Sequence, residues 1–243
     1  MTKQAILFDF WQTLFHDMKE RESFEARKLL VKNFLAIKNS LNGLDVDAAF
    51  EASRPWFLGI YHDEQRTPIV SERLTWVLDY LGVSVAPPEF AALCEEFEEM
   101  GLMLDPRLSE NLVPVLSELS RDYKLGIVSD TGYTPGRVLR KHMKKHGVLE
   151  FFSAFSFSDE TGRAKPHARQ FDNVLQQLGV APVNAIHCGD LPSHDVLGAK
   201  QRGLTAVLYT GCHIAEESAN GYQPDFVISD WLELPAIVRK VFA

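Results

Sequence analysis

Asp9, Ser129 and Asp190 each close a short apolar run, Asp195 follows five residues after Asp190, and Lys165 stands just before a helical pattern in Thr161-Gly-Arg-Ala-Lys165-Pro166. Two or three acids, a hydroxyl and an amine gathered at one edge can hold a hard divalent cation. They can also leave one carboxylate as a nucleophile and bind a phosphoryl group through the hydroxyl and the ammonium. Singly, Asp9 reads as a cap or turn acid, Ser129 as a turn hydroxyl and Lys165 as a surface amine, so their meaning depends on the elements that bring them together.

Those elements alternate. Residues 4–10, 123–129, 151–157 and 185–190 are apolar runs with polar ends, and 205–209 and 226–228 are further strand patterns. Between them, Val113, Leu116 and Leu119 space as one helical face, as do Phe171, Val174, Leu175 and Leu178. Strand and helix in turn predict an α/β fold, a Rossmann-like doubly wound parallel sheet, whose ligands bind at the carboxyl edge of the strands.

The stretch from 17 to 104 interrupts this order with helix patterns alone. Thr67-Pro68 reads as an N-cap followed by proline at the first helical position, with Leu74, Val77, Leu78 and Leu81 behind it and Gly82 as the stop. Phe90, Leu93, Cys94 and Phe97 repeat the spacing, Leu30, Val31, Phe34 and Leu35 mark an earlier helix, and Ala49, Phe50 and Trp56 to Ile60 another. About four packed helices are expected as an inserted bundle at 17–104, in a core formed by 1–16 and 105–243.

Composition narrows the partners. Twenty-five Lys and Arg against 33 Asp and Glu leave a net charge of −8, with 46% hydrophobic residues. That balance excludes an intrinsically disordered chain and argues against nucleic acid as a partner. Lys141, Lys144 and Lys145 form the densest basic group and read as a solvated helix face. No run approaches the roughly 18 apolar residues of a membrane helix, and the amino-terminal residues lack a secretion pattern, so the expectation is a cytoplasmic protein without a membrane partner. Cys94, Cys188 and Cys212 are odd in number and far apart, which points to neither disulfides nor a thiolate metal site.

Taken in order, these segments resemble the haloacid dehalogenase superfamily over nearly the whole chain. Asp9-Phe10-Trp11-Gln12-Thr13-Leu14 is similar to its first motif, Ser129 after Leu-Gly-Ile-Val to its second, Lys165-Pro166 to its third, and Gly189-Asp190 through Asp195 to its fourth. The helical insertion falls where the family places its C1 cap. The resemblance implies that Asp9 is a nucleophile forming an aspartyl-phosphate, with Mg²⁺ held by Asp9, the Trp11 carbonyl and Asp190 and supported by Asp195. It further implies that Ser129 binds a phosphoryl oxygen, Lys165 neutralises charge, Thr13 positions the first-motif loop, and the substrate is a small phosphorylated metabolite that also meets Trp11.

Trp11 departs from the phosphatase pattern, in which this position is a second Asp that protonates the leaving group and activates water. An indole does neither near neutral pH, so a contribution of about 10²–10⁴-fold is missing unless another group supplies it. Gln12 also replaces the usual glycine. Four readings follow. The 2-haloacid dehalogenases carry Tyr here but lose the acid matched by Asp190. The phosphonoacetaldehyde hydrolases use a cap lysine, for which Lys28, Lys32 and Lys38 are candidates, although all three fit a solvated face. A phosphatase could take its acid from His16, His62, Asp63 or His194, or act on a good leaving group, with Arg54, Arg66 and Arg73 available for an anionic substrate. The last reading is a binding module that kept the fold.

Overall fold

The computed structural model describes residues 3–16, 19–38, 43–212 and 221–243. Six parallel strands form one sheet in the order β5-β4-β1-β6-β7-β8: β1 Ala5–Phe8, β4 Lys124–Ser129, β5 Phe152–Phe157, β6 Ala185–Gly189, β7 Thr205–Tyr209 and β8 Phe226–Ile228. The expected doubly wound sheet is present. The chain leaves β1 toward β4 and later returns to β6 on the other side, so the order reverses at β1, the point at whose carboxyl edge open parallel sheets bind their ligands.

Period-two alternation divides the strand residues between two cores. Ile6, Phe8, Ile127, Ile186 and Val207 pack against Leu112 and Leu116 of α5 (Leu112–Leu119), Leu139 of α6 (Gly136–Lys145) and Val238 of α10 (Leu234–Val241). Ala5, Leu7, Val128 and Leu208 face Phe171, Val174 and Leu178 of α8 (Ala168–Leu178). Gly126 stands under α8 because a Cβ there would lie 3.0 Å from Val174 and 3.1 Å from Leu7. The α8 face is the one expected. On α5 the expected Leu116 and Leu119 are buried, together with Leu112 and Val115, whereas Val113 is 40% exposed and lies at the edge of that face.

Between β2 (Phe15–His16) and β3 (Arg107–Leu108) the described residues hold α1 (Glu20–Ile37), α2 (Val46–Asp63), α3 (Val70–Tyr80) and α4 (Pro87–Glu99), the four helices predicted. Residue 17, taken as the start of the insertion, lies outside the described residues. β2 and β3 pair antiparallel, Phe15 with Leu108 and His16 with Arg107, and so bring together the two strands flanking the helical segment. The four helices share a separate core of Val31, Leu35, Phe50, Leu74, Val77, Leu93 and Phe97.

Two sequence expectations are corrected here. Helix α3 starts at Val70, with Ile69 as N-cap, rather than after Thr67: the Glu72 carboxylate accepts from Ile69 N at 2.9 Å and caps the first turn, and Thr67 is buried. Lys28 is not on a solvated face, because Glu25 at 2.7 Å and Asp47 at 3.4 Å hold its buried ammonium. Lys141 and Lys145 are exposed and paired, to Glu99 at 2.8 Å and Asp105 at 2.5 Å. Among the described residues, no helix is long and apolar enough to cross a membrane.

Trp231 anchors the far side of the sheet. It is fully buried, stacks on Tyr209 with centroids 4.4 Å apart, and meets Phe8 at 5.7 Å. Trp231→Ala is expected to cost about 3–5 kcal/mol in chemical denaturation. A loss below about 1 kcal/mol would show that this ring does not anchor the core.

Candidate active site

Asp9 comes one residue after β1, where its amide still donates to the Cys188 carbonyl of β6 at 2.9 Å. This extra ladder bond fixes the direction of a side chain that is only 6% exposed. Lys165 lies in the turn ahead of α8, and its Nζ donates to Asp9 Oδ1 at 2.5 Å and to Asp195 Oδ1 at 2.7 Å. Asp195 sits in the wide helical turn Pro192–Val196 that follows β6. Its Oδ1 also meets His187 Nε2 at 2.8 Å, and its Oδ2 accepts from Leu191 N at 3.1 Å. A carboxylate only accepts, so His187 Nε2 carries the hydrogen. Gly189 makes the packing possible: a Cβ there would fall 2.2 Å from Asp195 Cγ.

Asp190 completes the cluster, accepting from Thr13 Oγ1 at 3.3 Å. Asp9, Asp190 and Asp195 offer oxygens that all lie within 4.8 Å of one another, and all three are buried. Fully ionised, they carry three negative charges against one ammonium. Burial therefore raises Asp9 against the pull of Lys165, and burial with the charges of Asp9 and Asp195 pushes Asp190 up to about 8. Burial also opposes ionisation of Asp195, but Lys165 and His187 outweigh it and hold that group below the usual carboxylate range. Burial disfavours the Lys165 ammonium, yet Asp195, Asp9 and Asp130 raise it above the ordinary lysine value. An all-oxygen donor set with this surplus of negative charge suits a hard divalent cation.

The loop after Asp9 is tightly wound. Leu14 N and Phe15 N donate to the Phe10 carbonyl at 3.0 and 2.9 Å, and Gln12 N donates to Phe15 O at 2.7 Å. Gln12 adopts φ +55°, the left-handed region that favours glycine, which explains why the family pattern has glycine there. Thr13 is fully buried, and its carbonyl accepts from Ser109 Oγ. Trp11 packs its ring edge-on to Phe10 at 4.9 Å, against the sheet core. Ser129 ends β4, beside β1, and is fully buried, its hydroxyl donating weakly to the Asp130 carbonyl at 3.3 Å.

The structure thus gathers Asp9, Asp190 and Asp195 with Lys165 on two of them and Thr13 on Asp190, while Ser129 stands at the end of neighbouring β4 and Trp11 on the loop after Asp9. The other candidates are dispersed. His16 meets Ser109 Oγ at 2.9 Å and Cys212 Sγ, while His62 and Asp63 are exposed. His194 stacks on Tyr61 with centroids 5.3 Å apart. Arg54 is exposed near Glu51, and Arg66 pairs with Glu72 at 2.6 Å. Arg73 is buried between the rings of Phe57 and Tyr133, 3.4 and 3.8 Å from their centroids.

Three residues escaped the sequence reading. His187 lies inside a strand pattern, where an imidazole passes for core. Asp130 follows Ser129 directly, and its polarity at a strand end was the available signal. Tyr61 lies on α2, 69 positions from its partner Asp130, and nothing local marks it.

A family model described as haloacid dehalogenase-like hydrolase matches residues 46–209. A glyceraldehyde 3-phosphate phosphatase of Methanopyrus kandleri is 27% identical over 251 residues, 98% of each chain. A pyrophosphatase of Bacillus cereus is 26% identical over 133 residues, 54% of this chain and 60% of its own. A solved 2-haloacid dehalogenase of Pseudomonas syringae pv. tomato superposes with a TM-score of 0.71 over 99% of both chains at 21% identity, a likeness of fold. With the family model spanning more than half of the residues, and the strand-edge acids lying where that fold binds its ligands, the chain belongs to the haloacid dehalogenase-like hydrolases.

Proposed function

We propose that the chain is a Mg²⁺-dependent phosphatase that hydrolyses a small phosphorylated metabolite through an aspartyl-phosphate at Asp9, with residues 17–104 forming a cap over a core of 1–16 and 105–243. The observation that carries this reading is the buried cluster in which Asp9 and Asp195 share the Lys165 ammonium and Asp190 remains close by. The Asp9 carboxylate attacks phosphorus and the bond to the leaving oxygen breaks. Water then attacks the phosphorus of the aspartyl-phosphate, releasing phosphate and restoring Asp9. Lys165 offsets the charge on the phosphoryl oxygens, Ser129 donates a hydrogen bond to one of them, and Asp195 with His187 keeps Lys165 aimed. Bound by Asp9, the Trp11 carbonyl and Asp190, with Asp195 in support, Mg²⁺ would supply the positive charge that lets an anionic substrate approach these acids.

Trp11 shapes the substrate class. With an indole where the family places its proton donor, the leaving oxygen departs as an anion, which favours acyl, enol and aryl phosphates and anhydrides over alkyl esters. The Bacillus cereus relative is named for an anhydride substrate. Retention of Asp190 beside Asp9 speaks against the dehalogenase reading. The phosphonatase reading needs a neutral cap amine. Lys28 is instead kept protonated by Glu25, with burial opposing and Asp47 assisting, and Lys32 pairs with Asp47 at 2.5 Å. A binding module has no use for three acids crowded around one lysine.

Hydrolysis of acetyl phosphate, pyrophosphate and an aryl phosphate is expected to require Mg²⁺ and to exceed that of simple alkyl phosphates by about 10²-fold or more. Asp9→Asn should abolish turnover with the melting temperature preserved, and undiminished activity in this variant would overturn the mechanism. Trp11→Asp should raise the rate on alkyl phosphates toward the roughly 10²–10⁴-fold that a general acid supplies; no gain would place the limit elsewhere in the pocket. Saturating Mg²⁺, at about 100 times its Kd, should stabilise the protein by about 2.7 kcal/mol, read as a rise in melting temperature. Asp190→Asn should remove that rise, and an equal rise in this variant would exclude Asp190 as a ligand.

A further inference from the structure

Lys165 owes its place beside Asp9 to contacts from the helical segment as well as to the sheet. It lies between α7 (Ser158–Thr161) and α8, outside any regular element, and its neighbours lean on the end of α2. Ala164 N donates to the Gln65 carbonyl at 2.6 Å, and Arg163 Nη1 donates to the Glu64 carbonyl at 3.1 Å. Lys165's own amide donates to Asp130 Oδ1 at 3.0 Å, and the other oxygen of that carboxylate accepts from Tyr61 Oη of α2 at 2.8 Å. A continuous relay therefore runs from Tyr61 through Asp130 to the Lys165 backbone, and through its side chain to Asp9.

Asp130 is the pivot. It is partly buried, and both of its oxygens are engaged, one by the loop carrying Lys165 and one by the helical segment. The phenol is held in turn by its ring, which stacks on Phe57 at 5.8 Å and on His194 at 5.3 Å. A hydroxyl donating to one oxygen fixes the plane of the carboxylate and hence the direction in which the other accepts.

We infer that Tyr61 and Asp130 are positioning residues that couple the docking of α2 to the placement of Lys165 beside Asp9, so that covering the site and assembling it are one event. The inference rests on the phosphatase reading for its consequence in turnover, but the coupling itself is measurable without a substrate. Tyr61→Phe removes only the hydroxyl and keeps the ring stack. Hydrogen exchange of the full-length protein, followed by mass spectrometry over the peptides containing Ala164 and Lys165, is expected to accelerate by about ten-fold or more at these amides in Tyr61→Phe and in Asp130→Ala. The strands should exchange as before. On acetyl phosphate with Mg²⁺, kcat in Tyr61→Phe should fall roughly ten-fold, KM should stay within about two-fold, and adding Tyr61→Phe to Asp130→Ala should cause no further loss.

Unchanged exchange at Lys165 in both variants would overturn the coupling. Unchanged kcat alongside faster exchange would overturn its role in catalysis. A wild-type protein that turns over no phosphate substrate would overturn the phosphatase reading instead, and exchange would still decide the relay.

Discussion

One ammonium inside a knot of carboxylates governs this molecule. Lys165 is 3% exposed and touches Asp9 and Asp195, with Asp190 close by. Burying charges in this way is costly unless each is paired and hydrogen-bonded. Much of the surrounding architecture supplies those partners: the Leu191 amide and the His187 imidazole for Asp195, the Thr13 hydroxyl for Asp190, and the missing side chain at Gly189 that lets Asp195 approach. Burial, with the surplus negative charge left after pairing, drives Asp190 toward protonation.

The sheet order puts these groups within reach of one another. Because β1 lies between β4 and β6, the residues at the ends of all three strands meet at the reversal point. The tight loop after Asp9 then turns the chain into the short β2–β3 ribbon that brackets the helical segment. Gln12 adopts the left-handed backbone that a glycine would take more easily, so the loop closes there with a side chain present. Trp11 occupies the next position back and packs against Phe10, which makes this loop apolar where a proton donor would stand.

The helical segment has its own apolar core and its own charge pairs, and while Arg137 and Lys141 of α6 tie it down at Glu98 and Glu99, another set of its contacts reaches the loop after Ser129. Arg73 lies between Phe57 and Tyr133, Arg27 reaches Thr134 at 3.2 Å, and Tyr61 reaches Asp130. Each of these joins a helix of the segment to the loop that follows Ser129. Burial lowers Arg73 to about 10, well within the range where it stays charged at neutral pH, so its aromatic neighbours enclose a cation.

The strands, most helices, the parallel sheet and the acids at its edge are legible in the sequence, because hydrophobic period and strand-end polarity are local signals that survive in a single chain. The sequence also marked Asp9, Lys165, Asp190 and Asp195 through motif order, before any distance was known. Details set by side-chain geometry differ from the sequence expectation: the start of α3, capped by Glu72 rather than Thr67, the exposure of Val113 on α5, and the enclosure of Lys28 by Glu25 and Asp47. Only the folded chain settles who shares Lys165, which acid is pushed toward protonation, and how Tyr61 reaches Lys165 through Asp130. Those outcomes depend on burial and on contacts between residues 30 to 177 positions apart, and no local pattern encodes a distance across the fold.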